Sequence, residues 1–361
     1  MKNFSIKIQL DTHDYLINIQ QQGFNFETIK EKLSDRKIAI ISNDTVAPLY
    51  MRQLKEALLP YNGELYECIL PDGEQHKNLK YWQYILDFLA QNNFNRSDML
   101  LSLGGGVICD MTGFAAASWM RGIDFIQVPT SLLAQVDASV GGKTGINHSK
   151  GKNLIGAFHQ PQAVIINTST LKTLPDREFK SGLGESLKYG AINQKQFKRW
   201  LDKNLVAIKQ QNLPVLSHLI AKCCQFKADI VQQDEKESGI RALLNLGHTF
   251  AHAIETYTHY SHYTHGEAVA IGMVMAAELS VIKGVAADNL RKELEKHLQD
   301  FELLTKLPKE IDAFKLVELM RLDKKVINNS HRLILMKSIG EAYIQDNVCE
   351  TDILQAIKNC Q

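Results

Sequence analysis

The sequence predicts an α/β domain built on a parallel sheet, followed by a helical domain. Three observations carry this. Short apolar strands alternate with amphipathic helices through the first half, the pattern of a parallel sheet covered on both faces. From about Asp176 onward helical periodicity takes over. The length, 361 residues, is long for one domain and ordinary for two. Leu174-Pro175-Asp176 marks the expected boundary, dividing the chain into 1–175 and 176–361.

Phe4, Ile6, Ile8 and Leu10 alternate with polar residues, as do Tyr15, Ile17 and Ile19, which predicts a strand pair around Asp11-Thr12-His13-Asp14. This N-terminus lacks the apolar core of a signal peptide and is expected to be structure rather than address. Further strands are expected at Lys37–Ser42, Tyr66–Leu70, Met99–Leu103, Phe125–Val128 and Ala163–Asn167, with helices such as Val46–Leu59 and Leu79–Gln91 between them. In the second half, helices are expected over Phe179–Ala191, Gln196–Gln210, Val215–Asp234, Leu243–Thr256, Gly266–Lys283 and Asp288–Leu298. A late hairpin is expected at Arg332–Gln345, turning at Ser338-Ile339-Gly340-Glu341.

The net charge is +1, so no global field attracts nucleic acid or an anionic membrane, and no apolar run reaches membrane-spanning length. Anion recognition must come from local clusters of Lys and Arg. The six cysteines are scattered without C-x-x-C spacing, which argues against a disulfide framework or a thiolate zinc site and points to a reducing cytoplasm.

Ligands of parallel sheets bind outside the carboxyl ends of the strands, so the loops after strands are searched first. Gly104-Gly105-Gly106 follows a buried strand and enters a helix, where backbone N–H groups can approach a pyrophosphate. It is not the G-x-G-x-x-G fingerprint, and such a triplet is as often a plain tight turn. Pro71-Asp72-Gly73-Glu74-Gln75-His76-Lys77 follows the second Rossmann-type strand, with Glu74 placed to accept from ribose hydroxyls. Gly141-Gly142-Lys143-Thr144 resembles the end of a P-loop, but position 137 is Asp where the first Gly belongs, so an ATPase is rejected. What remains, through Gly151-Lys152-Asn153, is a polar, glycine-rich loop suited to an anion.

In the second half, Glu185 and Lys188 share a helical face, and the small residues before them suggest close approach of another element or a ligand. His248 and His252 stand at i and i+4, the spacing that offers two imidazoles to a metal. Thr249 occupies the place where a zinc protease needs Glu, which excludes that hydrolysis. His265 opens the next helix. From residues alone, a metal is expected on Glu185 and two or three of His248, His252 and His265. This donor mixture suits Zn²⁺ with an open position, acting as a Lewis acid on a substrate oxygen.

These motifs together resemble the 3-dehydroquinate synthases, sugar-phosphate cyclases of the shikimate pathway. The resemblance runs through Pro71–Lys77, Gly104–Asp110, Met120-Arg121-Gly122, Phe125–Gln160, Glu185–Lys188, Asp234–Glu237, Arg241–Glu255, His265-Gly266-Glu267 and Asp323-Lys324-Lys325. It implies a Rossmann-like domain followed by a helical domain with the active site in the cleft. It also implies NAD contacts on Asp72, Gly73, Glu74, Gln75, His76, Lys77, Gly106, Val107, Ile108, Cys109, Asp110, Thr130, Ser131, Lys143, Lys152, Thr170, Leu171, Lys172 and Thr173. The implied metal ligands, for Zn²⁺ or Co²⁺, are Glu185, His248 and His265, with His252 moved to the substrate. Substrate and catalytic positions are Asp137, Lys143, Asn153, Lys188, Lys227, Arg241, Asn245 and His252, with Lys324 or Lys325 as a further candidate. Arg121 is implied to reach into a neighbouring subunit's site, making the protein a homodimer. Two departures are Cys109, where many members have Gly, and Ser131, where many have Thr. Cys109 at the cofactor loop is expected to make NAD binding more sensitive to oxidation.

The implied substrate is 3-deoxy-D-arabino-heptulosonate 7-phosphate, a small molecule with two anionic ends. In the reaction this resemblance implies, NAD⁺ would take a hydride from its C5 alcohol, and the new ketone would acidify C6. Phosphate would then leave by β-elimination, the hydride would return, and ring opening with an intramolecular aldol closure would give 3-dehydroquinate. The base at C6 stays open between the substrate's own phosphate and a relay through His252. The rival readings are a related cyclase such as a 2-deoxy-scyllo-inosose synthase, an NAD- and metal-dependent polyol dehydrogenase, and a zinc-stabilised binding protein without catalysis.

Overall fold

The computed structural model describes every residue except 1–2, 12, 62–63, 194, 322–325 and 328–329, and the backbone alone at 326–327 and 330. Contacts divide the chain into two units, Met1–Leu174 with Leu213–Lys236, and Pro175–Asn212 with Glu237–Gln361. This corrects the single boundary. The chain crosses at Pro175, but Leu213–Lys236 returns to the first unit.

The first unit begins with β1 (Phe4–Gln9) and β2 (Asp14–Gln20), an antiparallel pair. Next come β3 (Ile38–Asn43), α1 (Ala47–Leu58), β4 (Leu65–Leu70) and α2 (Leu79–Gln91). β5 (Met99–Gly104), α3 (Gly106–Ser118), β6 (Asp124–Pro129), the hairpin β7 (Lys143–His148) and β8 (Gly151–Phe158), and β9 (Ala163–Asn167) follow. The main sheet runs β1-β2-β9-β6-β5-β3-β4, and all its pairings beyond β1/β2 are parallel. Period-two alternation sorts its side chains between the faces. Ile38, Ile40, Leu101 and Leu103 join Met51, Leu54 and Leu58 of α1 in one buried cluster. Ala39, Ile41 and Leu100 join Ile85, Leu89, Met111 and Ala115 of α2 and α3 in the other. From β3 the chain adds β4 on one side and then β5 on the other. That switch point is where a parallel sheet opens a crevice for ligands.

The glycine-rich segment expected as a loop is the β7/β8 hairpin. Gly145 pairs with Gly156, and a Cβ on Gly156 would lie 2.1 Å from the Thr144 carbonyl oxygen, so glycine serves strand approach here.

The second unit holds α4 (Asp176–Asn193), α5 (Lys195–Lys203) and α6 (Leu205–Lys209), while α7 (Leu213–Gln233) packs on β1 and β2 of the first. Then come α8 (His248–Tyr257), α9 (His265–Ile282), α10 (Leu290–Asp300), α11 (Ala313–Met320), β10 (Val326–Ile327), β11 (Ser330–Ser338), β12 (Glu341–Val348) and α12 (Glu350–Asn359). The helix expected over Leu243–Thr256 starts only at His248. Gly247 there takes a left-handed φ of 79°, and a Cβ on it would lie 2.7 Å from the Met273 amide nitrogen. α9 has a mean hydropathy of 1.4 and suffices by length and composition to cross a membrane, contrary to the expectation that no segment would. It is 72% buried and packs against α8, α4, α10, α12 and β11, as the core helix of this unit.

Candidate active site

In the first unit most of the expected cofactor residues follow the carboxyl ends of β4, β5, β6 and β9, while Lys143 and Lys152 lie on the β7/β8 hairpin. Gly105 precedes α3 in an extended conformation, and no side chain caps the helix start, which leaves its first amides facing the loop. Thr130 donates its amide to Gly104 O at 2.9 Å, and Ser131 packs beside Gly105. Thr170 donates its hydroxyl to Thr130 O at 3.1 Å. Thr173 shares a 2.5 Å hydrogen bond with Tyr50, in the helical turn that also carries Leu171 and Lys172.

The loop after β4 is tied on three sides. Asn43 donates to Asp72 at 2.6 Å, and the Asp72 amide donates to Asp44 at 3.0 Å. Asn147 donates to Glu74 at 2.7 Å, with Lys152 3.9 Å from the same carboxylate. Gln75 donates to Asp72 O, and His76 meets Tyr81 edge-on. Lys77 is buried, and its ammonium donates to Asp110 at 2.5 Å and to Asn153 at 2.6 Å. Burial works against the charge on Lys77, but Asp110 and Glu74 outweigh it and hold the ammonium above the ordinary lysine value. Gly106, Val107, Ile108 and Cys109 form the first turn of α3, ahead of Asp110. The Cys109 thiol is fully buried and burial pushes it up to about 12, so the expected sensitivity to oxidation is corrected: the reactive thiolate is suppressed.

Asp137 sits in a π-helical turn, Ala134–Ala138, a local widening that re-aims a side chain. Lys227 on α7 donates to both the Asp137 carbonyl, at 2.7 Å, and its carboxylate, at 2.8 Å. Lys143 opens β7 and is exposed. Arg121 follows α3 in a turn where Met120, Arg121 and Gly122 take φ of 47°, 70° and 119°, three left-handed residues in a row.

In the second unit, α4 and α9 touch backbone to backbone. A Cβ on Gly184 would lie 2.5 Å from Gly266 O, and one on Gly266 would lie 1.9 Å from Ser181 O. The small residues ahead of Glu185 are therefore explained by a neighbouring element, which draws Glu185 up to His265. Glu185 is fully buried. Its Oε1 lies 3.4 Å from His248 Nε2 and 3.5 Å from His265 Nε2, while Lys188 pairs with its Oε2. One donor atom from each of Glu185, His248 and His265 lies within 4.8 Å of the others, a grouping that could hold a metal ion. His248 Nδ1 is 3.2 Å from Leu246 O, and His265 Nδ1 is 3.4 Å from Glu255. Burial disfavours a charged His265, yet the Glu255 and Glu185 carboxylates lift it to about 10, so this pocket favours a cation. His252 stands beside the group, its ring centroid 5.7 Å from that of His248 and 6.3 Å from that of His265.

Arg241 is buried in the 3₁₀ turn Ile240–Asn245, and Asn245 donates to Glu237. Lys324 and Lys325 lie outside the described residues. Sequence reasoning missed Asn43 and Asp44, although they end and follow β3 at the switch point, where the carboxyl-end rule points. It placed Glu237 and Glu255 within the motifs but gave them no role, although Glu255 is readable as the i+7 position from His248.

Sequence models of the 3-dehydroquinate synthase N-terminal and C-terminal domains match residues 67–181 and 182–326. The chain belongs to the 3-dehydroquinate synthase family. A 3-dehydroquinate synthase of Shewanella sp. (strain MR-4) is 46% identical over 98% of both chains. One from Legionella pneumophila (strain Lens) is 49% identical over 96% of this chain and 93% of its own. A solved 2-deoxy-scyllo-inosose synthase with carbaglucose-6-phosphate, NAD⁺ and Co²⁺ superposes with a TM-score of 0.89 at 22% identity, covering 99% of this chain and 100% of that one. A 2-epi-5-epi-valiolone synthase from Streptomyces hygroscopicus with NAD⁺ and Zn²⁺ gives 0.87 at 22%, covering 98% of each. An iron-containing alcohol dehydrogenase gives 0.65 at 14%, covering 95% and 97%. At these identities the structural neighbours establish the family's fold.

Proposed function

We propose that the chain converts 3-deoxy-D-arabino-heptulosonate 7-phosphate into 3-dehydroquinate and phosphate, with NAD⁺ bound by the first unit and one divalent metal, Zn²⁺ or Co²⁺, bound by the second. The observation that carries this is the near end-to-end identity of 46–49% with 3-dehydroquinate synthases in a chain that gathers Glu185, His248 and His265. A carboxylate and two imidazoles around a site that favours a cation fit Zn²⁺ and leave a position for substrate. When bound, the dinucleotide would accept and return the hydride and the cation would polarise the hydroxyl being oxidised.

The chain's own residues bind and position. The uncapped start of α3, Thr130 and Ser131 offer donors to a pyrophosphate, and Asp72–Lys77 with Asp110 and Thr170–Thr173 complete the dinucleotide site. Asp137 holds the Lys227 ammonium ready for a substrate anion. Arg241 presents a buried guanidinium suited to a carboxylate, with Asn245, Lys143 and Asn153 as further polar contacts. Lys188 pairs with Glu185 Oε2, and His252 is placed to move a proton beside the metal group. The exposed, left-handed turn at Met120–Gly122 supports Arg121 as an outward-reaching arginine that enters the partner subunit's site in a homodimer. The cysteines are free and all but Cys349 are buried, which fits the reducing cytoplasm.

The test is phosphate release from the heptulosonate phosphate with NAD⁺ and Zn²⁺. Release without accumulating NADH is expected, and no release with all three present overturns the reading. NADH accumulating on a polyol would favour the dehydrogenase instead. His248→Ala should abolish both bound zinc and turnover, whereas unchanged zinc content overturns its place among the ligands.

A further inference from the structure

α8 buries one carboxylate for which neither fold nor proposed chemistry has yet given a task. Glu255 is 1% exposed and lies in the last turn of α8, where the helix dipole disfavours an anion. Burial and dipole both oppose it, so its value must lie in what it touches. Its Oε1 lies 3.4 Å from Nδ1 of His265, whose Nε2 lies 3.5 Å from Glu185. His248, by contrast, sets its Nδ1 against a neutral acceptor, the Leu246 carbonyl. His248, His252 and Glu255 occupy i, i+4 and i+7 of α8, so a single helical face holds a metal-directed imidazole, a second histidine and this acid.

We infer that Glu255 is a positioning residue that orients His265 for the metal. Its carboxylate accepts the Nδ1 proton, which fixes the tautomer with the lone pair on Nε2, directs that nitrogen toward Glu185 and makes it a stronger donor. The inference rests on Glu185, His248 and His265 being the metal ligands.

Glu255→Gln keeps the shape and an acceptor oxygen but removes the charge. Zinc affinity, measured by competition with a chromogenic chelator, should fall about 10–100-fold. The parent protein should bind one zinc and Glu185→Gln should bind it far more weakly. If neither the parent nor any variant binds zinc, the ligand assignment fails and this inference with it. If the parent binds, Glu185→Gln does not, and Glu255→Gln matches the parent, the inference alone is overturned. A merely structural carboxylate would lower the unfolding temperature of the metal-free protein while leaving zinc affinity unchanged, which also overturns it. A readout needing no variant is nitrogen NMR of labelled histidines in the zinc-loaded parent. His265 should carry its proton on Nδ1 and zinc on Nε2, and the opposite arrangement overturns the inference.

Discussion

Lys227 and Asp137 form a pair whose part in stability and whose proposed part in function can be tested separately. Lys227 is buried, and its ammonium donates to both the carbonyl and the carboxylate of Asp137. Replacing Lys227 with Met removes the ammonium and leaves the Asp137 acceptors short of a donor, a cost of about 1–3 kcal/mol. The same change should lower kcat/KM by about 10²–10³-fold if Lys227 contacts the substrate anion. Adding Asp137→Asn removes the carboxylate charge that Lys227 faced, so the double variant should regain part of the lost stability in urea titrations. Its activity should stay low, and recovery of activity together with stability would reduce Lys227 to a structural partner. At this scale the sequence was informative about residue type and weak about geometry. The i, i+4 spacing makes His248 and His252 look like a metal pair, but His265 sits closer to Glu185 because of where α9 starts, which no spacing within α8 can reveal. Cys109 teaches the same lesson, since its position in a loop motif says nothing of the burial that suppresses its thiolate.

The elements that set this geometry are α4 and α9. α9 begins with a capping box in which Thr264 and Glu267 exchange hydrogen bonds, and Arg177 on α4 grips Glu267 at 2.8 and 2.9 Å. This fixes the first turn, and His265 with it, while the Gly184/Gly266 contact brings α4 within backbone reach. Gly266→Ala would gain about 1 kcal/mol in helix propensity. It would also drive a Cβ to within 1.9 Å of Ser181 O. Overpacking costs about 1–3 kcal/mol even against movable side chains, so the clash should win. Lower thermal stability and weaker zinc binding are expected, since the helices separate between Glu185 and His265. Gly190→Ala is the control, because its nearest neighbour is the flexible Leu201 side chain at 3.3 Å. It should be neutral or stabilising, and equal damage from both would break the link between this contact and the metal group. Strand–helix alternation was legible in the sequence because each sheet residue faces one of two apolar layers with period two. The β7/β8 hairpin was not, because glycines admitting a close strand look like glycines of a loop. α7 was legible as a helix but not as part of the first unit, because an apolar stripe does not say which surface covers it.

For the whole molecule, a net charge of +1 means that recognition of a doubly anionic substrate depends on placed cations rather than on a general field. Lys227 belongs to the first unit and Arg241 to the second, and the chain passes between the units at Pro175, Leu213 and Glu237. Hydrophobic periodicity records one of these crossings, where the texture changes, and is silent on the other two, which fall between helices of similar pattern. The quaternary level is tested by complementation. If Arg121 acts in the partner's site, Arg121→Ala and Lys227→Met should each be nearly inactive as pure dimers. In a mixed dimer, the site with intact Lys227 receives its arginine from the Lys227→Met partner and becomes whole, while the other site lacks both. Random pairing of equal amounts makes about half the dimers mixed, with one working site of two, so co-expression should restore about a quarter of the parental phosphate release. An arginine acting within its own subunit predicts no recovery, because no chain in the mixture then carries both groups. Sedimentation of each variant alone must still show dimers, and a monomeric Arg121→Ala would assign the residue to assembly instead of to the neighbouring site.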